Sequence, residues 1–426
     1  MIRAQHRAHG LALIDHEFHV PLDYQMPEKG KINVFAREVF DVTKDPEALP
    51  FLVFLQGGPG SEAPRPDGKS GWLGQALEHY RVLLLDQRGT GLSSPITFQT
   101  LAGLNPQEQA DYLAQFRADN IVRDAECIRE ELIGKDTWSL LGQSFGGFCS
   151  LSYLSLAPEG LREVFITGGL AAIFHTADEL YAATYPIVAE KNRLFFERYP
   201  EAQDWARKIA DLLLAEAFYL PNGQRFTVEQ FQQLGMALGS STGFEHLYYA
   251  LERALIRVNG KETLSHTFLH DCFTELGYNR NPLFAILHEA IYCQGSASNW
   301  AAERQKAQFP EFIYAKGNDF LFTGEMIYPW MFEQYEALKP LRDAAQLLAE
   351  KTDWPPLYKP SGLKENKVPV AAAVYFNDMY VPREYSLETA RAIPNTRVWV
   401  TSEYEHNGLR ADGAHILTKL IQLLNE

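Results

Sequence analysis

Short, mostly apolar runs recur in the first and last parts of the chain, and each ends in a polar or glycine-containing loop. They occupy residues 51–55, 82–85, 138–141, 164–167, 368–376 and 397–401. The continuous apolar runs at 51–55, 82–85 and 368–376 are typical of strands buried on both faces of a parallel sheet. Helical patterns alternate with them, one with Ile121, Ala125, Ile128 and Leu132 on one face and a last one with Ile416, Leu417, Leu420, Ile421 and Leu424. This alternation predicts an α/β fold with a mostly parallel sheet.

The segments before the first apolar run have a different pattern. Residues 17–20 and 32–42 are typical of extended strands, and the turn-forming sequence P-E-K-G lies between them at 27–30. Two strands joined in this way predict an antiparallel edge at the N-terminal side of the sheet.

From about Phe174 the pattern changes to helical segments rich in aromatic residues, and no strand is predicted before Val368. We therefore predict three parts. Residues 1–172 form the first part of the α/β core, 173–354 form an inserted, mainly helical domain that we call the cap, and 355–426 complete the core.

The most informative stretch is residues 137–157. An apolar strand leads into the G-x-S-x-G sequence at 142–146, and a helix with Phe148, Leu151 and Leu154 at three-residue spacing follows until Pro158. Strand, G-x-S-x-G and helix together are typical of the tight turn that lifts a nucleophilic serine above a sheet. Ser144 is therefore the candidate nucleophile, and the alternative is a serine in a purely structural glycine turn.

A second match to G-x-S-x-G lies at 239–243. The residues before it form a helical pattern without a β-branched run, so the strand that the motif requires is absent. We predict a loop of small residues between two helices there.

A serine hydroxyl needs a base to accept its proton and an acid to orient that base, in the chain order serine, acid, histidine for this kind of site. Asp378 and His406 follow two predicted core strands and have this order. The alternative for Asp378 is a purely structural role in a turn, because the pair Asn-Asp is common in turns. Asp412 is the rival acid, but it lies near a predicted helix start, where a role in capping the helix would explain an aspartate. His415 is the rival base, but it lies in the last predicted helix, where a surface or packing role fits better.

Acyl transfer also requires N–H donors for the developing oxyanion. The N–H of Phe145 is one candidate, because it follows the nucleophile directly. The second donor is expected from the loop after residues 51–55, which contains Gly57 and Gly58. A plain glycine-proline turn is the alternative reading of that loop.

Composition narrows the functional classes. The net charge of −15 argues against general binding of nucleic acid or anionic membranes. Four scattered cysteines without a C-x-x-C pair predict neither a disulfide framework nor a structural zinc site. The N-terminal residues lack a signal peptide's apolar region, and no apolar run is long enough to span a membrane. We expect a soluble, reduced, cytoplasmic protein.

Three motifs together carry a resemblance to a known family. They are G-G-P-G at 57–60, D-Q-R-G-T-G-L-S at 86–93 and G-Q-S-F-G-G at 142–147. With the order of the triad and the inserted cap, the chain resembles the proline iminopeptidases of the α/β-hydrolase fold, especially their longer bacterial form. Gln56 departs from the histidine that many relatives have there. We expect this difference to leave the oxyanion donors in place but to alter how the loop is held.

The resemblance implies release of an N-terminal residue, preferably proline, from short peptides with a free N-terminus, without a metal or organic cofactor. It also implies that acidic side chains of the cap bind the substrate's α-amino group. Glu289 and Glu245 are the candidates because they lie beside aromatics in otherwise apolar helices, although an exposed or locally paired glutamate is an equal alternative for each. Arg88 is expected to join loops through its planar guanidinium.

Two other functions remain open on the sequence alone. An esterase, amidase or acylase would use the same triad, because a fold and a triad do not choose the substrate. A binding protein without catalytic activity is a third possibility, and the complete triad argues against it. The oligomeric state is not predicted.

Overall fold

A computed structural model describes all residues, 1–426. Its strands are β1 (Ile2–Ala8), β2 (Leu11–Pro21), β3 (Lys31–Asp41), β4 (Phe51–Leu55), β5 (Arg81–Leu85), β6 (Trp138–Gln143), β7 (Leu161–Thr167), β8 (Phe218–Tyr219), β9 (Arg225–Phe226), β10 (Leu255–Val258), β11 (Lys261–Leu264), β12 (Val370–Tyr375) and β13 (Thr396–Thr401). Its α-helices are α1 (Gly71–Ala76), α2 (Pro106–Leu113), α3 (Ala118–Ile133), α4 (Phe145–Leu156), α5 (Ala177–Arg198), α6 (Pro200–Ala215), α7 (Val228–Gln232), α8 (Gly243–Glu252), α9 (His266–Glu275), α10 (Pro282–Leu287), α11 (Ala301–Lys306), α12 (Met331–Gln334), α13 (Arg342–Glu350), α14 (Pro360–Lys364), α15 (Arg383–Ala392), α16 (Gly408–Ala411) and α17 (Gly413–Asn425).

One large sheet has the strand order β1-β2-β3-β5-β4-β6-β7-β12-β13. All pairings from β5 to β13 are parallel, and those from β1 to β5 are antiparallel. The predicted α/β fold with a mostly parallel sheet is confirmed, as is its antiparallel N-terminal edge. The edge is larger than expected, because β2 begins at Leu11 and pairs with an additional strand, β1, whose residues are all exposed.

The inner parallel strands β4, β5, β6, β7 and β12 are buried on both faces along most of their length, as their apolar sequences require, whereas the edge strand β13 is largely half-buried or exposed. Val53 and Leu55 of β4 belong to the apolar cluster on the side of α3 and α4, whereas Leu52 and Phe54 belong to the cluster under α1 and α17. Successive side chains of a strand point to opposite faces, so a strand covered by helices on both sides has no polar alternation.

Residues 173–354 are mainly helical but contain two short antiparallel hairpins, β8–β9 and β10–β11. The expectation of no strand before Val368 is therefore wrong. A sequence signal was present for β10–β11, because Asn259 and Gly260 join its strands with φ angles of 50° and 80°. Asn-Gly with positive φ at both positions is the preferred two-residue hairpin turn. The strands themselves are too short to show an alternating pattern.

The loops that follow β4, β5, β6, β12 and β13 lie at the carboxyl edge of the sheet, where open α/β sheets bind ligands. The apolar cluster on the α3 and α4 face continues into the helices of residues 173–354. All four cysteines are free. None of the helices combines the length and the apolar character needed to cross a membrane.

Candidate active site

Ser144 lies between the end of β6 and the start of α4, with φ 55° and ψ −123°. A non-glycine residue rarely adopts this conformation, and it is maintained by close packing around the turn. A side chain at Gly146 would collide with the backbone carbonyl of Leu55, and one at Gly142 would collide with the carbonyl of Gly146. The glycines of the motif therefore allow the turn to lie directly against β4.

The structure brings Ser144, His406 and Asp378 into one chain of hydrogen bonds. The Ser144 hydroxyl lies 2.9 Å from Nε2 of His406, and Nδ1 of His406 lies 2.7 Å from Oδ2 of Asp378. The other carboxylate oxygen accepts the N–H groups of Tyr380 and Val381 at 2.9 and 3.0 Å. Because Asp378 accepts the proton on Nδ1, Nε2 is left to accept from the serine hydroxyl. This arrangement can activate a serine for nucleophilic attack.

The environment of His406 changes its pKa. Burial lowers the pKa of this imidazole, but the charge and hydrogen bond of Asp378 outweigh that effect and raise it above the ordinary value of 6.5. The carboxylate therefore favours the imidazolium that forms when the serine loses its proton.

The rival acid and base do not contact this chain. The exposed carboxylate of Asp412 accepts the hydroxyl of Tyr404 at 2.9 Å. His415 is exposed on α17, where its ring lies 5.8 Å from that of Trp399. Neither side chain hydrogen-bonds to Ser144.

The expected oxyanion donors lie on both sides of Ser144. Phe145 is the first residue of α4, so its N–H has no partner within the helix. A Cβ on Gly57 would lie 2.9 Å from the Cβ of Ser144, which shows how closely this backbone approaches the serine. Gly58 also lines the cavity described below, but its closest neighbours are Gly60 and Ser61.

The loop after β5 supports the loop after β4. The buried carboxylate of Asp86 accepts the N–H of Leu92 at 2.9 Å and forms a salt bridge with Arg65 at 2.6 Å. The side-chain amide of Gln87 donates to the backbone carbonyl of Gln56 at 3.1 Å. The loop that contains Gln56 is therefore held through its backbone, which does not depend on the side chain at that position.

Arg88 joins three segments, as expected. Its guanidinium is 1% exposed, pairs with the carboxylate of Asp124, and donates to the carbonyls of Pro21, Leu22 and Gln115. These contacts tie β2, α3 and the segment before α3 to the loop after β5. Arg88 lies outside the cavity that contains Ser144.

A cavity of about 660 Å³ opens above Ser144 and His406. Gly57 and Gly58 form part of its base, and α8, α9 and the segment after Phe322 supply its opposite wall. The loop that contains the second G-x-S-x-G match borders the same cavity. This loop lies between a 3-10 helix, Gln233–Gly239, and α8, so no strand precedes it.

The structure places neither of the two predicted cap glutamates in this cavity. Glu289 is buried, and its two carboxylate oxygens accept the N–H groups of Ala301 and Ala302 at 3.1 and 2.9 Å. It therefore satisfies the unpaired donors at the start of α11. Glu245 is half-buried on α8, where it pairs with Arg198 at 2.9 Å. The expectation that these two side chains face the substrate is corrected by this geometry.

A third cap glutamate, Glu325, lines the cavity and was missed by the sequence analysis. Its side chain is 20% exposed, forms no hydrogen bond, and lies 3.9 Å from Nε2 of His288. Burial raises its pKa to about 8; the positive charge of His406 opposes this rise and the negative charge of Asp378 adds to it. The sequence signal was a single carboxylate within the apolar stretch L-F-T-G-E-M-I-Y at 321–328.

The fold and this site define a member of the α/β-hydrolase fold class, and the model of that family matches residues 50–409. The chain is 57% identical over 415 residues to the proline iminopeptidase of Aeromonas sobria, covering 97% of both chains. It is 37% identical over 416 residues to the proline iminopeptidase aneH of Aspergillus aculeatus, covering 95% of this chain and 92% of the relative. The chain belongs to the proline iminopeptidase family, which confirms the resemblance seen in the three motifs.

A solved structure is also similar. The crystal structure of the proline iminopeptidase of Mycobacterium smegmatis aligns with a TM-score of 0.45 and 15% identity, covering 96% of this chain and 98% of that one. The family assignment depends on the sequence relatives and not on this likeness.

Proposed function

We propose that this protein is a serine aminopeptidase that releases the N-terminal residue, proline above all, from short peptides through an acyl-enzyme. The observation that carries the proposal is the continuous hydrogen-bonded chain from Ser144 through His406 to Asp378 at the base of a cavity. The same cavity contains the carboxyl group of Glu325, which forms no hydrogen bond within the protein, and such a group suits a substrate with a free ammonium group.

In the first half of the reaction the Ser144 oxygen attacks the carbonyl carbon of the N-terminal residue. Nε2 of His406 accepts the hydroxyl proton and then donates it to the leaving amine, so the C–N bond breaks and the acyl-enzyme remains. In the second half a water molecule gives its proton to the same nitrogen and attacks the ester. The serine recovers its proton, and the free amino acid leaves. Every step uses only this chain and water.

The negative charge on the substrate oxygen during both halves requires N–H donors that are already in place. Phe145 supplies one at the start of α4. For the second donor the geometry favours Gly57 over Gly58, because Gly57 lies against the Ser144 side chain. Loss of one such donor typically raises the barrier by about 3 kcal/mol.

Glu325 is the proposed partner of the substrate's α-amino group, in place of Glu289 and Glu245. When no substrate is bound, the raised pKa of Glu325 keeps its carboxyl largely protonated at neutral pH, which avoids an unpaired buried charge. An arriving ammonium group favours the carboxylate form. The positive end of the substrate is thus bound within the cavity whose base contains Ser144.

The walls of the cavity also suit a small apolar ring. Leu234, Phe284, Ile327 and Tyr380 line it, and the ring of Tyr380 packs edge-on against His406 at 4.8 Å. We propose that the pyrrolidine ring of an N-terminal proline contacts this apolar lining, since hydrophobic and aromatic walls with a few polar groups are typical of small-molecule sites.

Release of the arylamine from prolyl, alanyl and leucyl arylamides, measured beside a neutral short-chain ester, tests the proposal. We expect the prolyl compound to have the highest kcat/KM. Turnover of the ester alone would favour the esterase alternative and contradict the aminopeptidase. A cytoplasmic location stays a prediction that these measurements do not address.

A further inference from the structure

Two polar side chains that the proposed chemistry does not use lie at the same cavity. We propose that Arg410 and Asn407 bind the C-terminal carboxylate of short peptides, which makes unblocked di- and tripeptides the preferred substrates. This inference rests on the aminopeptidase function proposed above and adds a second charged anchor to it.

Arg410 has a charge without a partner. It is exposed, lines the cavity, and forms no salt bridge. The other arginine in the cavity lining, Arg253, differs in this respect because it pairs with Asp271 at 3.1 Å. Arg410 lies four residues after His406, and its positive charge opposes the rise that Asp378 causes in the pKa of that imidazole. A free guanidinium beside a peptide site is suited to a carboxylate.

Asn407 supplies oriented donors next to this charge. Its Oδ1 accepts both the N–H and the hydroxyl of Ser241 at 2.9 Å, so the amide orientation is set and its NH2 group is left to donate. The backbone N–H of Arg410 donates to the carbonyl of Asn407 at 2.8 Å, which places both residues on one turn directly after His406. The loop with the second G-x-S-x-G match thus orients a cavity-lining amide.

The cavity therefore contains a positive guanidinium and, at a separate place, a carboxyl group that an arriving ammonium group would ionise. Glu325 and Arg410 both affect the pKa of His406 but form no salt bridge with each other. A short peptide carries the matching pair, an ammonium at one end and a carboxylate at the other. Each residue beyond the cleaved bond moves the carboxylate by up to about 3.5 Å, so a short peptide keeps its carboxylate within the cavity that Arg410 lines, whereas a long peptide carries it outside.

The test compares prolylglycine with prolylglycinamide, which differ only in the carboxylate. We expect wild-type protein to have the higher kcat/KM for the free acid, mainly through KM. Arg410→Gln should reduce the ratio of kcat/KM for prolylglycine to kcat/KM for prolylglycinamide by about fivefold to tenfold. Arg410→Lys keeps the positive charge and should retain part of the wild-type preference. Arg253→Gln is the matched control and should keep the wild-type ratio, because that charge is already neutralised by Asp271.

Equal kcat/KM for acid and amide in the wild type, or an equal drop in the Arg410→Gln and Arg253→Gln variants, overturns the proposal. Binding of both peptides to a Ser144→Ala protein, measured by calorimetry, keeps the test independent of turnover. If the Ser144→Ala protein binds prolylglycine more tightly than prolylglycinamide, and Arg410→Gln removes this difference, the subsite is supported even if the wild-type protein does not hydrolyse arylamides. If the two peptides bind equally well, the subsite is overturned even if arylamides are hydrolysed.

Discussion

The backbone N–H of His406 donates to the carbonyl of Gly239 at 3.2 Å. Gly239 precedes α8 in the inserted segment, whereas His406 belongs to the loop after β13. Tyr380, two residues after Asp378, similarly donates its hydroxyl to the carbonyl of Met236. The insertion therefore does more than cover the site, because it supports the two loops that carry the candidate base and acid.

If Ser144 is the nucleophile, a fluorophosphonate probe should modify it and no other serine. We expect Ser144→Ala to abolish the label and to lower kcat by at least about a thousandfold, because the attacking oxygen is lost. Mass spectrometry of the labelled wild-type protein provides the control. A label on the peptide that contains Ser240 and Ser241 would contradict the assignment made from the strand before Ser144.

The pH dependence of ester hydrolysis should report the state of His406. The base must be neutral to accept the serine proton, so activity falls as the pH drops through a pKa above 6.5. Asp378→Asn removes the charge that raises this pKa, and the acidic limb should move to lower pH while kcat falls about 10⁴-fold. If the acidic limb of the pH–activity profile is unchanged in Asp378→Asn, Asp378 does not set the pKa of the His406 imidazole. A neutral ester is used because it brings no ammonium group to Glu325.

Glu325→Gln should separate substrates by their charge. We expect a loss of at least about tenfold in kcat/KM for a prolyl arylamide and a much smaller loss for a neutral ester, because only the former brings an ammonium group. Glu289→Gln is the matched control, since that glutamate is also buried and belongs to the same insertion but serves α11. Equal losses for both substrates in Glu325→Gln would indicate a structural role instead.

The same substitution should change stability in a pH-dependent manner. The folded-state pKa of Glu325 is about 8 against an ordinary 4.5, so its contribution to stability is present below pH 4.5 and is lost as the pH rises toward 8. Glu325→Gln avoids this loss. Its unfolding free energy relative to wild type should therefore increase between pH 5 and pH 9, on the order of 2–4 kcal/mol. Denaturant unfolding of both proteins at pH 5 and pH 9 measures this increase, and a difference that stays constant between the two pH values would contradict it.

Arg88→Leu should destabilise the protein through Asp124. Without its partner this carboxylate would be left buried and unpaired, which typically costs about 3–5 kcal/mol. Adding Asp124→Leu should recover part of that loss. A double variant whose unfolding free energy is the simple sum of the two single changes would show that the pair is not coupled.

The sequence by itself determined the parallel strands, the turn around Ser144 and the positions of Asp378 and His406. These features depend on local patterns: continuous apolar runs for strands buried on both faces, and polar residues directly after the strands whose ends share one edge of the sheet. Any chain with this alternation brings such loops together, so the candidate triad could be predicted without coordinates.

Only the tertiary structure decided which carboxylate faces the cavity. Glu289 and Glu325 both occur in apolar surroundings, and no local pattern distinguishes a glutamate that binds a neighbouring helix start from one that faces a cavity. Glu325 lies in a segment without regular periodicity, so its direction is set by packing against distant residues such as His288. Local sequence thus specifies the catalytic edge, whereas substrate contacts depend on how the inserted helices pack over it.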